Sequence, residues 1–231
     1  MENLRENREC YVLPAQREVL LDLITNPIIE TSFFLTGGTA LSIFYLHHRL
    51  SNDLDFFTLN PLYLGEIDFW IKGIWRHECS KIKEGPHFLS FVIKETKVDF
   101  VIDPLSLKEE RHKVIFENGH HLLVDSIDNI VSNKFCAIVS RVEPKDYIDF
   151  YYIQKKFPKY RLEDIFEVAK TKDAIFDDPP TAAFQIEEGI SFIKENMEII
   201  PKLRLSLNKQ DFFDFYNNIA SWLYKKIEPN L

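Results

Sequence analysis

Residues 37–58 read GGTALSIFYLHHRLSNDLDFFT, and this stretch limits what the chain can fold into more than any other. Gly37-Gly38 follows the short apolar run of residues 33–36 (FFLT), so a strand ends in a turn that opens a helix. Leu41, Phe44, Tyr45 and His48 then recur at helical spacing. Asp53 to Phe57 alternates polar with apolar, the period of a strand with one packed face. Residues i and i+2 of a strand share a face, which sets the carboxylates of Asp53 and Asp55 side by side. Two like charges so close repel unless a cation lies with them, and a hard divalent ion such as Mg²⁺ prefers such oxygens. The competing reading is an exposed edge strand with solvated acids, but Leu54, Phe56 and Phe57 require at least one packed face.

A third carboxylate sits in a similar setting. Asp99 is the only charge in residues 98–102 (VDFVI), and an unpaired buried carboxylate costs several kcal/mol. If this strand lies beside Asp53–Phe57, Asp99 reaches the same metal ions and can also act as general base. Asp103 precedes Pro104, which suits a turn at the strand end. Glycines permit close approach of a ligand, and the free N–H groups at a helix start attract phosphate. Gly37-Gly38 matches neither a Walker A loop nor a dinucleotide fingerprint. Adjacent His47 and His48 point about 100° apart on a helix and cannot chelate one ion together, so one packs and the other faces solvent. Arg49 is the better partner for a phosphate or carboxylate.

With 231 residues, 45% hydrophobic and 28% charged, the chain can bury a sizeable core as one large domain or two small ones. No apolar run approaches the roughly 20 residues of a bilayer span, and the charged start MENLRENRE is not a signal peptide. Cys10, Cys79 and Cys136 are odd in number and widely spaced, fitting a reduced cytoplasm and buried small hydrophobes rather than disulfides or a zinc site. A net charge of −8 counts against a broad nucleic-acid footprint. Residues 153–172 run the other way, with six Lys or Arg against three Asp or Glu, a pattern that suits a solvated helix face as well as a local basic groove.

Further along, Leu62 to His77 reads as a helix with Leu64, Ile67, Trp70, Ile71, Ile74 and Trp75 on one stripe. Residues 87–93 and 97–102 read as strands joined by a tight turn, and His121 to Val124 as a further edge strand. From Asp125 the pattern turns helical: Asp125 or Ser126 caps a helix to about Arg141 that Pro144 ends, followed by helices over 147–156, 161–172, 181–196 and 209–226. The aromatics of FDFYNNIASWLY follow helical spacing and read as core. Strands first and helices afterwards make an α+β chain, a sheet lobe over 1–124 and a helical lobe over 125–231.

A strand, Gly-Gly opening a helix, Asp-x-Asp on the next strand and a later Asp resemble the nucleotidyltransferase superfamily typified by DNA polymerase β. The longer string 37–57 looks like the AbiEii/AbiGii toxin branch. That branch also carries a helical Lys motif and a Lys-Asp-x-x-Asp element, here Asn133-Lys134-Phe135-Cys136-Ala137, Arg141, and Lys145-Asp146-Tyr147-Ile148-Asp149. The resemblance covers roughly residues 33–155. It implies a nucleotidyltransferase-type mixed β-sheet lobe with flanking helices and a helical C-terminal lobe. It also implies transfer of a nucleoside monophosphate from an NTP to an acceptor hydroxyl with Mg²⁺ or Mn²⁺, pyrophosphate leaving.

In that scheme Asp53, Asp55 and Asp99 hold the metal, and Asp99 helps deprotonate the acceptor. Gly37, Gly38 and Thr39 position the β- and γ-phosphates, and Ser51 donates to a phosphate or simply forms a turn. Lys134 faces the departing pyrophosphate, and Arg141, seven residues on, extends a basic strip along the helix. Asp146 and Asp149 orient Lys134 or Arg141, or contact the nucleotide, or Asp146 caps its helix. The resemblance further implies an RNA acceptor, the tRNA 3′ end, a cytoplasmic toxin, a cognate antitoxin and no membrane. The alternatives are nucleotidylation of a protein or of a small molecule such as an aminoglycoside, and a non-catalytic NTP-binding regulator.

Overall fold

Alternation of apolar and polar residues builds the first half of the chain into one mixed sheet. The computed structural model describes residues 4–61 and 64–226; Met1, Glu2 and Asn3 of the charged start, and Leu62, expected to open a helix, lie outside the described residues. Packing divides the chain into two compact units, Met1–Ser126 and Ile127–Leu231. In the first, helices α1 (Pro14–Leu23) and α2 (Pro27–Ser32) each start with proline, whose fixed φ suits the first helical turn. Neither was expected from the sequence. Strand β1 (Phe34–Thr36) runs into α3 (Gly37–Ala40), which widens into a π-helical turn over Leu41–Leu46 and stops at His47 in the left-handed region.

Next come β2 (Asp53–Thr58), α4 (Gly65–Trp75), β3 (Cys79–Gly85), β4 (Phe88–Ile93), β5 (Thr96–Ile102), β6 (His112–Ile115) and β7 (His121–Val124). The sheet order is β3-β4-β5-β2-β1-β7-β6. β2 pairs with β5 and β1 with β7 in parallel; the other neighbours are antiparallel. One face of the central strands is core: Leu54, Phe56, Val98 and Phe100 are fully buried, with Phe56 and Phe100 stacked at 5.5 Å and Phe33 edge-on to Phe100.

Two sequence expectations for this unit are corrected. β7 is an interior strand, because β6, which carries too few apolar residues to announce itself, takes the edge beside it. The stripe of α4 narrows to Ile67, Ile71 and Trp75 with Leu64 just before it, while Trp70 is half-buried and Ile74 is 54% exposed. β3 was not foreseen, since its residues are almost all exposed and lack strand alternation.

The second unit is helical: α5 (Ile127–Ser140), α6 (Pro144–Lys156), α7 (Leu162–Lys170), α8 (Pro179–Glu195) and α9 (Lys209–Tyr224). Pro144 does not end the preceding helix but opens α6, the position a proline tolerates best. The core joins Phe135, Phe150 and Phe176 in stacked contact, and Phe212 and Tyr216 of α9 are fully buried. Trp222 is only half-buried and Tyr224 is exposed, so the aromatic run of α9 is core along one face only. Cys10 is buried and Cys79 and Cys136 are half-buried; all three are free thiols, and burial pushes Cys136 up to about 12, keeping it protonated and unreactive. No described helix is long and apolar enough to cross a membrane.

The buried Tyr147 of α6 donates its hydroxyl to the Ile138 carbonyl at 2.7 Å, and Gly189 of α8 leaves it room. A Cβ at 189 would overlap that hydroxyl. Gly189→Ala, which normally gains about 0.5–1 kcal/mol in a helix interior, is therefore expected to cost about 1–3 kcal/mol through overpacking. Thermal denaturation checks the sign.

Candidate active site

The register of two parallel strands creates the site. Asp53 of β2 lies beside Lys97 of β5, and Asp55 beside Asp99. Asp53 and Asp55 share a face, as do Lys97 and Asp99, so three carboxylates and one ammonium form a two-by-two array. The polar row continues across the sheet on both sides: Ser90 of β4 pairs with Asp99, and Thr36 of β1 with Asp55. Beyond Thr36 stands Asp125, which accepts the Thr36 hydroxyl at 2.6 Å and pairs with Nε of the buried Arg111 at 2.8 Å. The Arg111 guanidinium lies 4.1 Å from the Phe34 ring centre, a second means of stabilising its charge in a buried place.

Both oxygens of Asp99 are engaged. Oδ1 accepts the Ser90 hydroxyl, and Oδ2 lies 2.5 Å from Lys97 Nζ. Asp99 is 8% exposed while the Lys97 side chain is 44% exposed, so the carboxylate sits in the sheet and the ammonium reaches it from the solvent side. Burial works against the Lys97 charge, but the hydrogen bond to Asp99 and the attraction of Asp99, Asp53 and Asp55 outweigh it and hold the amine above its ordinary range.

The glycine turn presses on this array. Gly37 has φ +68°, a left-handed conformation, and a Cβ there would come 2.9 Å from Asp55 Oδ2. At Gly38 a Cβ would overlap Nη2 of Arg49. The two glycines thus let the helix start close over Asp55 and the Arg49 guanidinium. Arg49 is buried and its Nη1 donates to the Leu50 carbonyl at 2.9 Å. Thr39 is fully buried; its hydroxyl bonds Ser51 Oγ at 2.9 Å and the Asp53 carbonyl, so what it can offer a phosphate is its backbone N–H. The Ser51 backbone is pinned by the N-terminal arm: its N–H donates to the Cys10 carbonyl and its carbonyl accepts from buried Gln16 at 2.8 Å. His48 is fully buried and His47 half-exposed, with Nδ1 of His47 3.0 Å from the Ser42 carbonyl. Asp103 accepts from the Leu105 N–H and the Ser106 hydroxyl, a turn role.

The oxygen donors of Asp53, Asp55 and Asp99 suit a hard divalent ion, and Lys97 and Ser90 hold Asp99 beside the other two. Sequence reading passed over Lys97, although its place two residues before Asp99 already put it on the acidic face. Ser90, Thr36 and Arg111 carried no local signal, being fixed only by cross-strand register and by the approach of a distant loop.

In the helical unit, α5 and α6 bring a second charged cluster together. Lys134 Nζ lies 2.6 Å from Asp146 Oδ1 and 2.7 Å from Asp149 Oδ2, with its side chain 8% exposed and both carboxylates fully buried. Arg141 Nη2 lies 2.7 Å from Asp146 Oδ2, and its Nε donates to the same oxygen. Asp146 and Asp149 therefore orient the two cations, and Glu143 rather than Asp146 stands at the helix cap. Burial raises the cost of charge on Asp146, yet Lys134 and Arg141 outweigh it and hold its carboxyl below the usual range.

A family model described as the nucleotidyl transferase AbiEii toxin of a type IV toxin–antitoxin system matches residues 18–214. An uncharacterised protein of Aquifex aeolicus, aq_aa25, is 29% identical over 159 residues, spanning 68% of this chain and 73% of that protein. Among solved structures, JHP933 of Helicobacter pylori aligns over 96% of this chain and 95% of its own, at 16% identity and a TM-score of 0.57. MenT4, a nucleotidyltransferase toxin of Mycobacterium tuberculosis, aligns over 94% and 84%, at 13% identity and a TM-score of 0.51. At these identities the two structures establish the nucleotidyltransferase fold.

Lys134→Met takes the ammonium from two buried carboxylates and is expected to cost about 3–5 kcal/mol. Asp146 titrates in the folded state below its ordinary value of 3.8, so its contribution is complete above pH 4 and is lost as pH falls through the folded value. Without Lys134 the buried acids protonate more readily. The gap in melting temperature between wild type and variant should therefore narrow on acidification from pH 7 to 4, which a pH series of thermal melts measures.

Proposed function

The chain belongs to the AbiEii nucleotidyltransferase toxin family, and we propose that it transfers a nucleoside monophosphate from an NTP to a hydroxyl at the tRNA 3′ end. Family membership makes the chain a nucleotidyltransferase of a type IV toxin–antitoxin system and implies an NTP substrate and a cognate antitoxin. The observation that supports the site is the pairing of Asp55 with Asp99 beside Asp53, directly under the turn of Gly37 and Gly38. The acceptor oxygen bonds to the α-phosphorus while the bond from that phosphorus to the β-phosphate oxygen breaks, and pyrophosphate departs with the electron pair.

In this reading the backbone N–H groups of Gly38 and Thr39 meet the phosphates, where the close-packed glycines let an anion approach. Arg49 and Ser51, buried behind the turn, hold its shape. Asp99 takes the acceptor proton. Asp53 and Asp55 would hold Mg²⁺ or Mn²⁺, which would supply charge neutralisation at the triphosphate. Lys134 and Arg141 are assigned to the phosphates by resemblance, with Asp146 and Asp149 fixing their orientation.

The test incubates the purified chain with Mg²⁺, each α-³²P-labelled NTP in turn, and total bacterial RNA or protein extract. Label on a tRNA-sized band is the expected result. Label on protein alone overturns the acceptor, and NTP binding without transfer overturns the catalytic reading. Asp53→Ala and Asp55→Ala should each lower transfer by roughly 10³-fold or more. Their melting temperatures should be unchanged or slightly raised, because each removes one of three crowded like charges.

A further inference from the structure

Lys97 stands where the cation of the acidic array is expected. Its neighbour across the parallel pair is Asp53, its hydrogen-bond partner is Asp99, and Asp53, Asp55 and Asp99 all attract its charge. Of the three carboxylates on this sheet face, the ammonium sits against the third. We propose that Lys97 is a resident counter-cation of this site, so that a divalent ion enters by exchange, displacing the ammonium from Asp99. This rests on the metal-dependent reading above and adds to it a residue that sets metal affinity.

Three features support exchange over a permanent ion pair. First, the Lys97 side chain is 44% exposed and approaches from solvent, so its departure uncovers no buried amine. Second, Asp99 keeps the Ser90 hydroxyl when Lys97 leaves, so one oxygen stays oriented while the other turns to a new partner. Third, a lysine ammonium is a compact charge on a flexible stem with no fixed fork, which lets it swing onto another anion within reach. The triphosphate that arrives with the metal offers such an anion. Metal alone must compete with Lys97, whereas metal arriving with NTP brings a new partner for the displaced ammonium, so nucleotide and metal should bind cooperatively.

The test measures Mn²⁺ binding to the full chain without nucleotide, following the free ion by electron paramagnetic resonance. Wild type is compared with Lys97→Met, which removes the charge and keeps the length, with Lys97→Gln as a second neutral variant, and with Lys97→Arg. The neutral variants should bind Mn²⁺ about tenfold more tightly than wild type, and Lys97→Arg within about twofold of it. Metal-free Lys97→Met should also melt below wild type and recover at saturating Mn²⁺, a rescue that a merely structural side chain would not show. Equal or weaker Mn²⁺ binding by both neutral variants overturns the assignment of Lys97 while leaving the metal-dependent reading intact. No Mn²⁺ binding by any of the four proteins, with or without NTP, overturns the metal-dependent reading and this proposal with it.

Discussion

The register that puts Asp53, Asp55 and Asp99 on one sheet face is the constraint around which the sheet unit is arranged. The in-register parallel pairing of β2 with β5 leaves the acids no way to separate, because shifting either strand by one residue would turn Phe56 and Phe100 out of the core. The apolar face thus forces the polar face to accept crowded charge. What offsets the crowding is also written in the strands: Lys97 at the spacing that shares the acidic face, and a Ser90 hydroxyl from the antiparallel neighbour.

The glycine turn follows from the same crowding. A helix start brought over Asp55 must do without a Cβ at Gly37, where the backbone is left-handed, and at Gly38, where Arg49 occupies the space. The carbonyls and hydroxyls behind the turn are tied into one network through Thr39, Ser51 and Gln16. This fixes the donors of the turn before any ligand arrives, which is what an electrostatic site needs to act without reorganising. The widening of α3 into a π-helical turn just beyond belongs to the same local departure from regular structure.

Features carried by local pattern were legible in the sequence, and features carried by long-range register were not. The Asp-x-Asp strand, the glycine turn and the lone acid in an apolar run all announce themselves within a few residues, and the strands that carry them run as expected. β3 and β6 could not be read because an exposed edge strand needs no apolar alternation. Pro144 was read as a stop because a proline ends one helix or begins another, and only the location of the adjacent turn decides between them. Lys97 was visible but overlooked, since a charge beside a buried acid reads as a solvated residue until the neighbouring strand is in place. Arg111 and Thr36 depend on contacts across many residues with Asp125, and no spacing rule reaches them.

The two charged clusters show how exposure divides similar chemistry into different duties. In the helical unit the buried Lys134 bridges two fully buried aspartates, one of them also paired with Arg141, and removing Lys134 takes the ammonium from both acids away from water. Such a cluster is rigid, and its cost of rearrangement is high. In the sheet unit the ammonium that meets buried Asp99 belongs to a half-exposed lysine, Lys97. That ammonium can leave toward solvent without becoming a buried, unpaired charge. The difference in access, more than the identity of the residues, marks the sheet cluster as the one built to exchange partners and the helical cluster as the one built to hold its shape.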